Sequence, residues 1–159
     1  MDAKKIISVM IVLSVIGLAV SIYSTWEHYE LVSGSKSSSF CDVSAEVSCS
    51  AVNSSPYSEV MGIPTAAFGA LWFAAAIVLL YQIRNGARGF WKNSPFYLFA
   101  WCIAGLLTVI WLVYAEFFLI GALCILCTIV HIIVIIMLFL SHKLLQKPVG
   151  KYMEDIFYK

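Results

Sequence analysis

Long apolar runs separated by short polar stretches set the pattern of this chain. Ile6 to about Trp26, Pro64 to about Ile83, Pro95 to about Ala115 and about Phe117 to Leu140 each contain no Asp, Glu, Lys or Arg. A helix that crosses a bilayer needs about 20 mostly apolar residues, and these four stretches meet that length. The pattern predicts an all-α integral membrane protein, a four-transmembrane-helix bundle forming a single membrane domain over residues 1–159. The first run is too long for a secretory h-region, and no small-x-small cleavage site stands out after it, so it reads as an anchor and structural helix. The long connection 27–63 forms the outer loop, and 141–159 a cytoplasmic tail.

Charge adds an orientation. Lys4 and Lys5 precede the first run, Arg84, Arg88 and Lys92 lie between the second and third, and Lys143, Lys147, Lys151 and Lys159 follow the fourth. With an even number of spans these segments share one side, which the positive-inside bias makes cytoplasmic. Only Lys36 lies in the first connection, beside Glu27, Glu30, Asp42, Glu46 and Glu59. The expected protein is therefore a multi-pass cell-membrane protein with both termini cytoplasmic and the 27–63 loop outside. Composition agrees. The chain is 62% hydrophobic and 12% charged with a net charge of +1, against about 45–50% and ~25% in soluble domains. That excludes a soluble or disordered chain and leaves no basic footprint for nucleic acid.

Within the outer loop, Ser33–Ser39 has the composition of a flexible linker. Ser55-Pro56 is a helix-start signal, with Glu59 suited to a first turn, and Gly62 and Pro64 end the run. A short extracytoplasmic helix is expected over Pro56–Met61, lying on the membrane surface.

The chemistry-bearing residues are cysteines. Cys41 and Cys49 fall in the outer loop, and Cys124 and Cys127 form Cys-Ile-Leu-Cys near the outer end of the fourth run. Disulfides persist outside the cytoplasm, so the first pair alone could be a loop staple. A staple between residues three apart in a helix closes too short a loop to stabilise much, whereas C-x-x-C is a redox dithiol spacing. Zinc fits poorly, because C-x7-C is not a knuckle spacing, and no metal site is expected. Two dithiols of different depth suggest a relay. Exchange proceeds by thiolate attack on a disulfide sulfur. An exposed pair can meet a soluble protein, and an embedded pair a lipid-soluble oxidant. Cys102, in the third run, reads as a buried small residue.

His131 shares a helix face with Cys124 and Cys127, and an ionisable residue inside a span is a functional candidate. It could serve a quinone oxygen or make an interhelical hydrogen bond. Thr65, Phe68 and Trp72, at i, i+3 and i+7 from the outer boundary of the second run, form an aromatic stripe with one hydroxyl that suits a flat quinone ring, or ordinary helix packing. Gly69 and Gly105 suit close helix contacts. Glu116 is expected to be a solvated interface carboxylate.

Together Cys41-Asp42-Val43, Ser48-Cys49-Ser50, Ser54-Ser55, Gly62-Ile63-Pro64-Thr65-Ala66-Ala67-Phe68-Gly69, and Tyr114 through Ile120-Gly121-Ala122-Leu123-Cys124-Ile125-Leu126-Cys127 resemble the vitamin K epoxide reductase family, its prokaryotic branch in particular, acting like DsbB. The resemblance covers roughly residues 6–140. It implies a bundle around a membrane quinone (ubiquinone or menaquinone type), open to the outer side. It also implies that Cys41 exchanges with a thioredoxin-fold (DsbA-like) extracytoplasmic protein, that Cys49 passes electrons to Cys124, that Cys127 reacts with the quinone, and that a short helix after Cys49 covers the pocket. By position, Thr65 stands where vertebrate members carry a quinone-binding asparagine, His131 where they carry a tyrosine, and Asn53 where they carry a phenylalanine.

The expected function is a quinone-dependent thiol-disulfide oxidoreductase that generates disulfide bonds outside the cytoplasm, with Cys41, Cys49, Cys124 and Cys127 catalytic and Thr65, Phe68, Trp72, His131 and Asn53 holding the quinone. The alternatives are a structural tetraspan protein with a stapled outer loop, and a reductase of vitamin K epoxide.

Overall fold

The computed structural model describes residues 2–35, 38–85 and 93–146. Lys36, Arg88, Lys92, Lys147, Lys151 and Lys159, which carry part of the orientation argument, lie outside them, as do residue 37 of the linker and the tail from 147 onward.

Four helices in the described residues are long and apolar enough to cross a membrane. They are α1 (Ala3–Val32), α3 (Thr65–Arg84), α4 (Ser94–Tyr114) and α5 (Ile125–Leu145). A five-residue helix, α2 (Cys49–Asn53), lies in the first loop. Each long helix packs on the next in chain order, and α5 closes against α1. Apolar side chains lock the end where α1 and α4 begin, with Ile6, Ile7, Leu80, Ile83, Leu98 and Leu144 all buried there. Small residues on α1 let its neighbours approach, as membrane helix packing requires. The Phe73 ring of α3 lies so close to Gly17 that a Cβ there would stand 2.3 Å from it. Gly69 meets the Ser21 hydroxyl across the same interface, and Gly105 meets the Trp72 ring.

The elements depart from the sequence pattern in ways that matter for the site. Helix α1 runs beyond Trp26 to Val32, because no breaker occurs before Gly34. It thereby carries Glu27 and His28 into the protein rather than into a solvated loop. The helix expected over Pro56–Met61 is a single 3-10 turn, Pro56–Ser58. The chain then forms a two-residue hairpin between β1 (Glu59–Val60) and β2 (Ile63–Pro64). Met61 and Gly62 take φ of 55° and 77° at its tip, the left-handed geometry that such tight turns require. The outer-loop helix is instead α2, capped by the Ser48 hydroxyl, which accepts the Ala51 N–H at 3.1 Å.

At the other side of the loop, α4 does not stop at Ala115. It continues as a wide π turn over Ala115–Ile120, closed by the Gly121 N–H on the Glu116 carbonyl at 2.9 Å. Gly121, at φ 73°, ends it as only glycine does without strain. The fourth span therefore begins at Ile125, not near Phe117, and it runs through Ser141 to Leu145, into the stretch expected as tail.

Candidate active site

The outer pair is held by polar contacts on both flanks. Cys41 and Cys49 form a disulfide with Cα atoms 5.7 Å apart. Asp42 organises the surrounding backbone. Its carboxylate accepts the Ser39 N–H at 2.7 Å, the Ser48 hydroxyl at 2.9 Å, the Ser50 N–H at 3.0 Å and the Ser50 hydroxyl. Partial burial pushes this carboxyl upward, but the hydrogen bonds from Ser50, Ser39 and Ser48 outweigh it and hold Asp42 well below the usual carboxylate range.

Beneath this loop, the C-terminal turns of α1 supply a buried polar platform. Glu27 is fully buried. It accepts the Ser39 hydroxyl at 2.5 Å and the Asn53 amide at 3.3 Å, and the same Ser39 oxygen lies 3.3 Å from the Cys41 sulfur. His28 reaches the Asn53 carbonyl through Nδ1 at 2.6 Å and the Glu59 carboxylate through Nε2 at 3.0 Å. The outer pair is thus not exposed on a free linker. Both sulfurs are buried against Val52, Ala122 and Leu126, because a disulfide packs as an apolar group once its flanking amides are satisfied.

The inner pair sits where α5 begins. Cys124 is its N-cap rather than a residue of its first turn, and the Cys124 sulfur accepts the Cys127 N–H at 3.2 Å. Both are free thiols. The Cys127 thiol donates to the Cys124 sulfur and lowers the Cys124 thiol below its ordinary value. Burial opposes the shift and the Cys127 backbone N–H adds to it. A backbone bridge ties the two pairs together. Val47 pairs with Leu123 in parallel fashion, with Ser48 N–H on the Leu123 carbonyl at 3.0 Å and Leu123 N–H on the Glu46 carbonyl at 2.9 Å. Cys49 and Cys124 consequently belong to one buried cluster.

Two neighbouring cavities lie near the start of α5, and Cys127 lines the smaller. The smaller, about 90 Å³, is lined by Asn53, Thr65, Glu116, Cys127 and His131 among others. The larger, about 560 Å³, lies between α3, α4 and α5 and is lined by Thr65, Phe68, Trp72, Trp111 and His131 among others. Its volume falls in the range of small-molecule sites. His131 and Thr65 face both. The His131 ring is nine-tenths buried and makes no interhelical hydrogen bond among the described residues, so its nitrogens remain available to the cavity. Trp72 forms one wall. It stacks on Trp101 with centroids 6.3 Å apart, and each indole N–H donates to the other residue's carbonyl, at 3.2 Å and 3.1 Å.

A family profile described as the vitamin K epoxide reductase family matches residues 8–142. The chain belongs to that family. No curated protein matches the sequence. Membership makes it a multi-pass membrane oxidoreductase of the disulfide and quinone redox class. Among the described residues no cluster of three or more His, Cys, Asp or Glu could hold a metal.

The structure brings Asn53, Thr65, Cys127 and His131 to one cavity and Phe68 and Trp72 to its neighbour. Cys102 lies away from them, buried on α4, with the Ser141 side chain as its hydrogen-bond partner. Glu116 corrects an expectation. It is 4% exposed, because the π turn places it against the Cys127 thiol and the Cys124 N–H. Glu27 and His28 were hidden in sequence among loop acids. The usable signal was the stripe Met10, Ser14, Gly17, Ser21, Ser24 and His28, whose alternating spacing of four and three continues one buried helix face past Trp26.

Proposed function

We propose that this family member is a quinone-dependent thiol-disulfide oxidoreductase that oxidises a thioredoxin-fold partner outside the cytoplasm. The observation that carries the reading is the junction of the two cysteine pairs. The 46–48 segment is bonded to Leu123 directly before Cys49 and Cys124, and Cys127 faces a cavity that adjoins a larger aromatic one.

A reduced partner attacks the Cys41 sulfur and frees Cys49 as a thiolate. The second partner thiol then closes the partner's own disulfide and frees Cys41. Cys49 attacks Cys124 of a Cys124–Cys127 disulfide, and Cys41 resolves the resulting bond. The outer disulfide reforms, and two electrons are left on the inner dithiol. A disulfide at Cys41–Cys49 with free thiols at Cys124 and Cys127 corresponds to that stage. A bound quinone supplies a two-electron, two-proton acceptor. The larger cavity fits such a group through its size, its Phe68 and Trp72 walls, and the open His131 ring. Thr65 and His131 are the donors we assign to the carbonyl oxygens, where charge develops, and Asn53 borders the adjoining space. The loop is assigned to the outer side because Lys4, Lys5, Arg84 and Lys143 gather at the opposite ends of the helices.

The test is quinone reduction by the purified full chain, driven by a reduced thioredoxin-fold donor, with single Cys→Ser changes. Loss of turnover at Cys41, Cys49, Cys124 and Cys127 with retention at Cys102 is the expected result. A wild type inert with ubiquinone-1 and menadione alike would move the structural tetraspan reading to first place. Turnover of vitamin K epoxide in their stead would make the protein an epoxide reductase.

A further inference from the structure

Glu116 entered the sequence argument as a surface acid, and its surroundings give it a chemical task. Its carboxyl is buried where α4 passes into the π turn. It lines the smaller cavity with Cys127 and is an acceptor for the Cys124 N–H and for the Cys127 thiol, whose single proton lies between the Glu116 carboxylate and the Cys124 sulfur. No Lys or Arg among the described residues pairs with it. Around the same cavity α1 presents Ser21 and Ser24, α2 Asn53, α3 Thr65, and α5 Cys127 and His131. None of these carries a fixed charge, and the ionisable groups that line the cavity with Glu116 are Cys127, His131 and Tyr57 of the outer loop, with Cys124 adjoining Cys127. A buried carboxylate without a cationic partner is costly and marks function inside a membrane protein. The wide turn that aims it inward is itself a feature that recurs at functional sites.

We infer that Glu116 is the proton acceptor for Cys127, taking the thiol proton as the inner dithiol is oxidised and returning it on the cavity side. The inference rests on the redox reading above. In the step, the Cys127 S–H bond breaks, its proton passes to a Glu116 carboxylate oxygen, and its electron pair stays on sulfur. Completion forms the Cys124–Cys127 bond. Two electrons and two protons leave the dithiol. The electrons and both protons end on the quinone, one proton carried by Glu116 and the other coming from the Cys124 thiol. Glu116 touches the reacting sulfur, which makes it a catalytic residue, and it gives the relay a proton path that the cysteines alone lack.

The test compares wild type with Glu116→Gln and Glu116→Asp as full chains in detergent. Two readouts are taken: turnover with ubiquinone-1, and alkylation of reduced Cys127 by N-ethylmaleimide without quinone, mapped by mass spectrometry. Glu116→Gln removes the acceptor, and general-base loss lowers turnover by about 10²-fold or more. It also removes a like charge beside the thiolate, so alkylation at a fixed mildly alkaline pH becomes faster, by roughly severalfold. Glu116→Asp, which keeps a carboxylate, recovers part of the turnover. Opposite movement of the two readouts supports the inference. Turnover unchanged or rising together with alkylation overturns it, since Glu116 then only restrains the thiol. Glu116→Asp as inactive as a folded Glu116→Gln overturns it also, and if Glu116→Gln fails to fold, a folded Glu116→Asp that turns over no quinone beside an active wild type overturns it. If the wild type turns over no quinone yet Glu116→Gln still speeds alkylation, the contact stands and the redox reading fails. Unchanged alkylation shows that Glu116 does not govern the thiol.

Discussion

Ser48 donates its backbone N–H to the Leu123 carbonyl at 3.0 Å, each one residue before a cysteine of a different pair. With the return bond from Leu123 N–H to the Glu46 carbonyl at 2.9 Å, this is a minimal parallel ladder between the outer loop and the entry to α5. It fixes the two chains in register, so it sets which sulfur of the outer pair meets which sulfur of the inner pair. Cys49, Cys124 and Cys41 are buried in one cluster, with Cys41 also contacting the Ser39 hydroxyl.

Removing one rung should slow transfer between the pairs without disabling either. In a Cys41→Ser, Cys127→Ser background, the remaining Cys49 and Cys124 thiols should join as a mixed disulfide when diamide is added as the two-electron oxidant, visible as a mobility shift on a non-reducing gel. Leu123→Pro deletes the N–H that reaches Glu46. Its loss is worth about 0.5–1.5 kcal/mol and should lower the trapping rate by about two- to tenfold. Trapping at the wild-type rate would mean that the ladder does not set the pairing.

The Asp42 carboxylate makes the outer loop acid-sensitive in a defined direction. Its folded-state ionisation lies well below the usual carboxylate range. It therefore contributes stability that is fully present above the unfolded value of about 3.9 and is lost as pH falls toward the folded one. Limited proteolysis of the loop should be flat from neutral pH to about pH 4 and accelerate below it. Asp42→Asn should cleave faster at neutral pH and lose that acid limb. An Asp42→Asn profile that keeps the wild-type acid limb would assign the sensitivity to another group.

How much of this was legible in the sequence differs by scale. The four spans follow from burial in lipid, which acts on every residue of a run and leaves a long apolar signature. The cysteine pairs were visible because their spacing is itself chemical information. The short elements were not visible. Whether Pro56–Met61 is a helix or a turn and hairpin depends on Met61 and Gly62 sharing left-handed backbone angles, which a local Ser-Pro signal does not report. The burial of Glu27 and Glu116 depends on α1 overrunning Trp26 and on one wide turn after Tyr114. Both are tertiary outcomes that leave the residue type unchanged.

Glu27 should matter for stability as well as for the site. Its carboxylate satisfies Ser39 and Asn53 together, so Glu27→Ala leaves two buried polar groups short of a partner. Each such group costs about 1–3 kcal/mol. A thermal melt in detergent should shift down markedly, and the Cys41–Cys49 bond should become easier to reduce, because Ser39 also contacts the Cys41 sulfur. Glu27→Gln, which keeps an acceptor oxygen, should recover part of both. A melt unchanged by Glu27→Ala would show that this platform is not structural.

Gly105 offers a test of the larger cavity that leaves every polar group in place. A Cβ at this position would stand 2.7 Å from the Trp72 ring, closer than real contacts allow. In Gly105→Ala either α4 or the indole must yield. The Trp72 indole is tied to α4 through the Trp101 carbonyl, and the Trp101 indole to α3 through the Trp72 carbonyl, so a shift of either α4 or the indole disturbs the wall that Trp72 gives the cavity. Overpacking of this kind costs about 1–3 kcal/mol. With the cysteines and Glu116 untouched, the change should appear mainly as a raised KM for ubiquinone-1, by about tenfold, with kcat retained to within a few-fold. Alkylation of Cys127 without quinone should stay at the wild-type rate. A variant whose KM is unchanged while its melting temperature falls would place Trp72 in packing alone and move the quinone to another part of the cavity wall.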